Sequence, residues 1–181
     1  ELTVSQFENV VIDVSNTGVD SSVYGLRSCS GTMRIKDVDT VSVTTNKGDA
    51  VYLSSYSNQP DGALEISSKN VTLDGSTLGN GLNLNGNGTL SISVQKILDI
   101  RGKNALVVQD PEAVLTVDAE SSTQSTITGN WDVKEGQASV SLGSNADIKG
   151  DMTTTNGSLS MSMKDNGKFT GAANGTQLDL T

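Results

Sequence analysis

The sequence predicts an all-β fold, a parallel β-helix in which short strands stack turn upon turn. Three observations predict it. A polar–apolar–polar–Gly phrase occurs at Thr126–Gly129, Asp147–Gly150 and Lys168–Gly171, with its glycines 21 residues apart. Apolar and polar residues alternate in short runs along the whole chain, which is typical of strands. Aromatic residues make up only 3% of the chain, which suits a thin core of Val, Ile and Leu better than a compact globule.

Each turn is predicted to hold three short strands, and about seven turns fill residues 1–181 as a single domain. The opening strands are Leu2–Val4, Met33–Ile35, Leu64–Ile66, Leu90–Ile92, Leu115–Val117, Val140–Leu142 and Met161–Met163. The middle strands are Ile12–Val14, Val41–Val43, Val71–Leu73, Leu98–Ile100 and those centred on Ile127, Ile148 and Phe169. The third strands are Val23–Leu26, Val51–Leu53, Leu82–Leu84, Leu106–Val108, Trp131–Val133 and Met152–Thr154, with a degenerate end at Leu178–Leu180.

Residues at the same place in successive turns are expected to stack. The opening strands give the column Val4, Ile35, Ile66, Ile92, Val117, Leu142 and Met163. Its intervals fall from 31 residues to 21, so the loops shorten while the strands keep their length. After the middle strands comes a glycine column, which indicates one repeated backbone geometry such as a positive φ: Gly75, Gly102, Gly129, Gly150 and Gly171.

The alternative fold is an antiparallel β-sandwich, because Asn-Gly turns at regular spacing also suit hairpins. A sandwich gives no reason for the glycine column, so the β-helix is favoured. Helix is expected to be nearly absent, since no useful stretch has apolar residues at helical spacing.

Composition excludes several functions. The net charge of −9 argues against nucleic acid or an anionic membrane as a partner. No apolar run approaches the roughly 20 residues that span a bilayer, and no signal peptide is visible. Histidine is absent, which removes histidine bases, triads and metal ligands. Cys29 has no partner for an internal disulfide and is expected as a free thiol that is buried or lines a turn.

The outward residues of the middle strands are predicted to form two columns. One is Asp13, Ser42, Thr72, Asp99, Thr126, Asp147 and Lys168; the other is Ser15, Thr44, Asp74, Arg101, Thr128, Lys149 and Thr170. No two acids are vertical neighbours, whereas glycan-cleaving enzymes need two or three clustered carboxylates. Asp74 is expected to face Arg101, and Asp147 to face Lys168, which favours an ion-paired, solvated surface.

The functional alternative for this surface is a polar patch that grips a sugar or an acidic glycan. Its candidate ligand-binding residues are Lys69, Asp74, Lys96, Asp99 and Arg101. No catalytic residue, metal ligand or cofactor is predicted. Trp131 and Tyr52 could stack on a sugar, but they fall on third strands and are expected to stack within the rod.

Three motifs resemble a known family: Val71–Gly75, Leu84–Leu90 and above all Lys168–Ala172 ahead of Leu178–Leu180. The last is similar to the aromatic-Thr-Gly-Ala phrase repeated in AIDA/pertactin-like passenger domains of Gram-negative autotransporters. The resemblance covers residues 63–181 well and residues 1–62 by pattern alone. It implies a right-handed parallel β-helix, secreted through an outer-membrane barrel and displayed on the cell surface. Both ends of the chain look like strands cut in mid-rod, so we expect a fragment of a longer coil.

The implied function is that of a non-catalytic adhesin or aggregation segment with a role in virulence. Its expected partners are a host-cell surface protein or glycan, or a second copy of itself, with no nucleic acid and no membrane insertion by this segment. Recognition is expected in the longest loops, Asn16–Ser22, Ser54–Gly62 and Ser76–Gly81, because loops on a rigid scaffold vary freely. A polysaccharide lyase or hydrolase and a plain structural spacer stay open as alternatives.

Overall fold

The computed structural model describes residues 1–15, 23–55 and 61–181, and this part of the chain is all-β. It contains no helix, and therefore none long and apolar enough to cross a membrane. The strands are β1 Leu2–Ser5, β2 Asn9–Val14, β3 Tyr24–Ser28, β4 Gly31–Thr45, β5 Asp49–Ser54, β6 Gly62–Asp74, β7 Asn80–Asn85, β8 Gly88–Val108, β9 Ala113–Ala119, β10 Gln124–Val133, β11 Gln137–Leu142, β12 Asp147–Lys149, β13 Met152–Thr154, β14 Ser158–Met163, β15 Lys168–Thr170, β16 Ala173–Asn174 and β17 Leu178–Leu180.

The strands pair in parallel with strands one turn further along the chain, and the pairings form three ladders. The first ladder joins β1, β4, β6, β8, β9, β11, β14 and β17. The second ladder joins β2, β4, β6, β8, β10, β12 and β15. The third ladder joins β3, β5, β7, β8, β10, β13 and β16. Parallel pairing contradicts the antiparallel sandwich for the described strands and is consistent with a β-solenoid.

Alternation along each strand sends every second side chain inward, where the three ladders enclose one hydrophobic core. The second ladder supplies Ile12, Val43, Leu73, Ile100, Ile127, Ile148 and Phe169 in register. The third supplies Leu26, Val51, Leu82, Leu106, Trp131, Met152 and Ala173. Each fully buried Val, Leu or Ile side chain contributes about 1.5–3 kcal/mol, so this stacked core is the main source of stability.

The first ladder corrects the predicted column of opening strands. Val117 pairs with Val140 rather than Leu142, and the column continues to Met161 rather than Met163. The ladder has an eighth strand, because β17 pairs with β14 and places Leu180 beside Met161. Successive intervals are 31, 31, 26, 25, 23, 21 and 19 residues, so the turns shorten further than predicted. Leu178–Leu180 is therefore an opening strand and not the end of a third strand.

The second ladder corrects the first member of each predicted outward column. Val11 pairs with Ser42, in the place predicted for Asp13. Asp13 pairs with Thr44, in the place predicted for Ser15. From Ser42 and Thr44 onward, both columns are confirmed through Lys168 and Thr170.

The corner that follows the second ladder needs glycine for two reasons. Gly129, Gly150 and Gly171 have φ of 129°, 139° and 155°, as the predicted column implies. A Cβ on Gly150 would lie 2.2 Å from the carbonyl oxygen of Gly129, and one on Gly171 would lie 2.0 Å from that of Gly150. Gly75 and Gly102 do not have positive φ. They need glycine because a Cβ would meet neighbouring backbone at 2.1 Å and 2.6 Å, respectively.

Candidate functional site

The five predicted ligand-binding residues form two separate groups. On the outer side of the second ladder, Asp74 pairs with Arg101, and Asp99 occupies the neighbouring position. Lys69 and Lys96 lie where the first ladder passes into the second, beside a register irregularity. Lys69 and Asp74 are five residues apart on β6, or about 16 Å along an extended strand. The five side chains therefore do not make one compact site.

In the first group, Arg101 is already paired within its own strand. Its Nε donates to Oδ1 of Asp99 at 2.8 Å, and its second fork nitrogen donates to Oδ2 at 2.5 Å. The hydrogen bond to Asp99 raises the pKa of Arg101, with a smaller attraction from Asp74. The predicted register of Asp74 with Arg101 is confirmed, but Oδ1 of Asp74 accepts the backbone N–H of Ser76 at 2.7 Å.

The same preference for a partner within the strand occurs two turns later. Asp147 does pair in register with Lys168, as predicted. Its carboxylate, however, bonds Nζ of Lys149 at 2.7 Å, on its own strand. Such exposed ion pairs contribute only about 0–1 kcal/mol each. The second ladder thus presents a self-neutralised outer surface.

In the second group, Lys69 bonds a carboxylate that the sequence pattern does not single out. Its Nζ lies 2.6 Å from Oδ1 of Asp39, beside a polar hollow of about 200 Å³. The wall of the hollow is fixed by Ser68, whose hydroxyl donates to the carbonyl of Val38 at 2.8 Å. Lys96 is exposed and makes no ion pair within the described ranges.

A buried carboxylate near the third ladder is also absent from the predicted sites. Asp49 is only 8% exposed. Its Oδ1 accepts the backbone and side-chain N–H groups of Asn80 at 2.9 and 2.7 Å, and its Oδ2 accepts Nδ2 of Asn83 at 2.7 Å. Asn104 donates to Asn80 at 2.8 Å, and Gln109 donates to Asn83 at 3.2 Å. The chain of amides ties three turns together and leaves the carboxylate saturated with donors.

The aromatic residues divide into one inner and one outer set. Trp131 is 2% exposed in the core, as predicted, and its Nε1 has no hydrogen-bond partner in the described structure. Tyr52 is not inside: its ring stacks on Tyr24 with centroids 4.3 Å apart, on the outer side of the third ladder. The guanidinium of Arg27 lies 5.2 and 5.7 Å from the two ring centroids, which adds a cation–π contact to the stack.

The predicted recognition loops are only partly described. Asn16–Ser22 lies outside the described residues, as does 56–60 of the second loop, including Tyr56. In the third loop, Ser76 donates to the carbonyl of Asn46 at 3.0 Å and Leu78 is 64% exposed. Cys29 is a free, half-buried thiol that accepts a hydrogen bond from the hydroxyl of Ser54 at 3.3 Å, as expected of a turn-lining cysteine.

A groove of about 540 Å³ lies on the outer side of the first ladder, where the turns are shortest. Successive strands place Thr116, Ser139, Ser160 and Asp179 in one register column. The outward side chains that line the groove are Val114, Thr116, Gln137, Ser139, Ser158, Ser160, Thr176, Gln177 and Asp179. Outward Ser and Thr look like ordinary solvated surface in a sequence. Their recurrence at one place in successive turns is the signal that could have identified the groove.

No protein-family model, curated protein or solved structure matches this chain. Among the described residues, no group of three or more His, Cys, Asp or Glu side chains could hold a metal ion. A functional proposal for this chain therefore depends on the contacts described above and on the resemblance of its motifs.

Proposed function

We propose that this chain is a non-catalytic adhesion segment of an autotransporter passenger, built as a right-handed parallel β-helix and displayed on the bacterial surface. One observation carries the proposal. The charged groups on the outer surface of the second ladder bond one another, whereas the first ladder presents a long uncharged groove. A surface of this kind is suited to holding a ligand rather than to transforming one.

The pairing of the acids favours adhesion over glycan cleavage. Glycosidases need one carboxylic acid and one carboxylate free to act on opposite sides of the bond that breaks. Here the carboxylate of Asp99 is occupied by Arg101, and that of Asp39 by Lys69. Asp74 accepts a backbone N–H of the following turn. Each acid of the predicted patch or beside it thus has a structural partner.

The ladders also favour recognition over a plain spacer. Parallel strands about 4.8 Å apart hold outward side chains in fixed rows, which limits the entropy lost on binding. Rows of this kind suit a partner that runs across several turns, such as a host-cell surface protein or glycan. The acidic, Thr- and Asn-rich composition and the aromatic-Thr-Gly-Ala phrase support secretion by the passenger route.

Attachment of coated beads tests the adhesion function. Beads carrying the purified chain are expected to bind epithelial or bacterial cells more than beads carrying an unrelated acidic protein of similar size. Attachment no better than that control would contradict adhesion and favour the spacer. In parallel, release of reducing ends or unsaturated products from any polysaccharide would overturn the non-catalytic assignment.

Labelling of intact cells tests the proposed location. An antibody against the chain is expected to label intact bacteria that produce the protein. Labelling that requires permeabilised cells would contradict surface display while leaving the adhesion assay unaffected.

A further inference from the structure

The polar groups of this molecule differ in whether they already have partners. Asp49, Arg101 and Lys69 are each bonded to other side chains of the chain. In contrast, the groove side chains of Thr116, Gln137, Ser139, Ser158, Ser160 and Gln177 donate or accept no hydrogen bond within the described part of the chain. A group that has lost no partner can bond a ligand without first breaking an internal contact.

We propose that this groove binds an uncharged glycan. The proposal rests on the adhesion function above and names its ligand class. It is a different place from the charged patch at Asp74, Asp99 and Arg101, since it lies on the first ladder and not on the second.

The chemistry of the groove matches sugar hydroxyls. A Ser or Thr hydroxyl donates one hydrogen bond and accepts two, and a Gln amide both donates and accepts. A sugar hydroxyl has the same dual character, so it can pair with any of these groups in either direction. Val114 adds an apolar element, 36% exposed at the groove wall, against which the C–H groups of a sugar ring can pack.

The charge of the groove selects against acidic glycans. Asp179 is its one charged lining side chain, and it is negative. The whole chain carries −9, so a uronate or sulfated sugar would be repelled and would find no Arg or Lys among the lining residues. A neutral ligand incurs no such repulsion.

The length of the groove fits a short oligosaccharide. Four strands of the first ladder, β9, β11, β14 and β17, contribute to its floor. Three spacings between them amount to roughly 14 Å. The volume of about 540 Å³ lies within the range of known small-molecule sites. A chain of several sugar rings lying along the ladder would therefore meet hydroxyls at each step.

Calorimetric titration of the purified chain tests the proposal. The probes are neutral gluco-, manno-, galacto- and xylo-oligosaccharides, with oligogalacturonate as the acidic comparator. Ser139→Arg and Ser160→Arg fill the groove from exposed positions, so the fold is expected to be kept. Ser93→Arg is the matched control, since it lies on the same ladder, is exposed and does not line the groove.

At least one neutral probe is expected to bind, with affinity lowered about tenfold or more by either groove variant and unchanged by Ser93→Arg. Gln137→Ala removes one amide without adding bulk and is expected to weaken binding roughly threefold to tenfold. Failure of every neutral probe to bind, tighter binding of oligogalacturonate, or binding that survives both arginine variants would each overturn the proposal.

The bead assay separates this proposal from the adhesion function. Beads with the unmodified chain that attach to cells, and still attach when Ser139→Arg is used, would leave adhesion intact and refute the groove as its site. Beads that never attach would refute adhesion itself, whatever the titrations give.

Discussion

The wide N-terminal turns and the narrow C-terminal turns of this molecule are held together by different means. In the wide turns, 31 residues separate Val4 from Ile35 and Ile35 from Ile66, and side chains cross-link the turns. Arg34 bonds both Glu1 and Glu65. In the narrow turns the interval falls to 19 residues, and Gly150 and Gly171 bring backbone against backbone.

The difference shows where polar groups are left for a partner. Longer loops cost more entropy to close, and the side-chain bonds of the wide turns offset part of that cost. Those bonds consume the outward Arg, Asp and Asn groups. In the narrow turns the backbone corner fixes the geometry, so outward Thr116, Ser139 and Ser160 remain unpaired. Binding capacity is therefore expected where the turns are shortest.

The largest expected effect is at the glycine corner of the narrow turns. Gly150→Ala should lower the free energy of unfolding by about 3 kcal/mol or more, because the φ is strained for alanine and the new Cβ meets the carbonyl of Gly129. Gly31→Ala is the matched control, since Gly31 has φ of 70° with nothing within 4 Å of its Cβ. It should cost only about 1–2 kcal/mol. Denaturant unfolding measures both, and equal losses would contradict the close approach of the turns.

The next effect breaks the cross-link of the wide turns. Asp49→Ala should destabilise the chain by about 2–4 kcal/mol, because it leaves buried donors on Asn80 and Asn83 without an acceptor. Asp118→Ala is the control: this exposed carboxylate has no partner in the described structure, and its loss should change stability by less than about 0.5 kcal/mol. If both variants unfold at the same denaturant concentration, the amide chain does not stabilise the wide turns.

A smaller effect tests the self-neutralised surface of the second ladder. Arg101→Gln should cost less than about 1 kcal/mol, because the pair with Asp99 is exposed, and the loss should shrink as salt is added. Lys96→Gln, which removes an exposed and unpaired charge, should leave the unfolding midpoint unchanged. A loss for Arg101→Gln that exceeds the predicted range, or that does not vary with salt, would mean that the pair is not a surface pair.

Much of the fold follows from the sequence, but register within the ladders does not. Alternation correctly assigns Ile127, Ile148 and Phe169 to the inside, and the spacing of Gly129, Gly150 and Gly171 places them at one corner. A slip of two residues keeps every side chain on the same side of the sheet. The pattern therefore could not distinguish Val140 from Leu142 as the partner of Val117, nor Val11 from Asp13 as the partner of Ser42.

The site was less predictable because it depends on which partner each group takes. Arg101 has Asp99 on its own strand and Asp74 on the adjacent strand, both within reach of its side chain. The backbone N–H of Ser76 bonds Asp74, and Arg101 bonds Asp99. The groove was missed for a related reason: a sequence does not reveal that an outward Ser or Thr lacks a partner.

The stacking of residues one turn apart can be measured directly with pyrene labels on pairs of cysteines, introduced into a Cys29→Ser background. The pairs Ser139/Ser160 and Thr126/Asp147 are register partners in the first and second ladders, so both are expected to give excimer fluorescence. Thr126/Ser160 joins different ladders and is expected to give monomer fluorescence alone. Excimer from the mixed pair together with none from either register pair would contradict parallel stacking of the turns, on which the core, the glycine corner and the groove all depend.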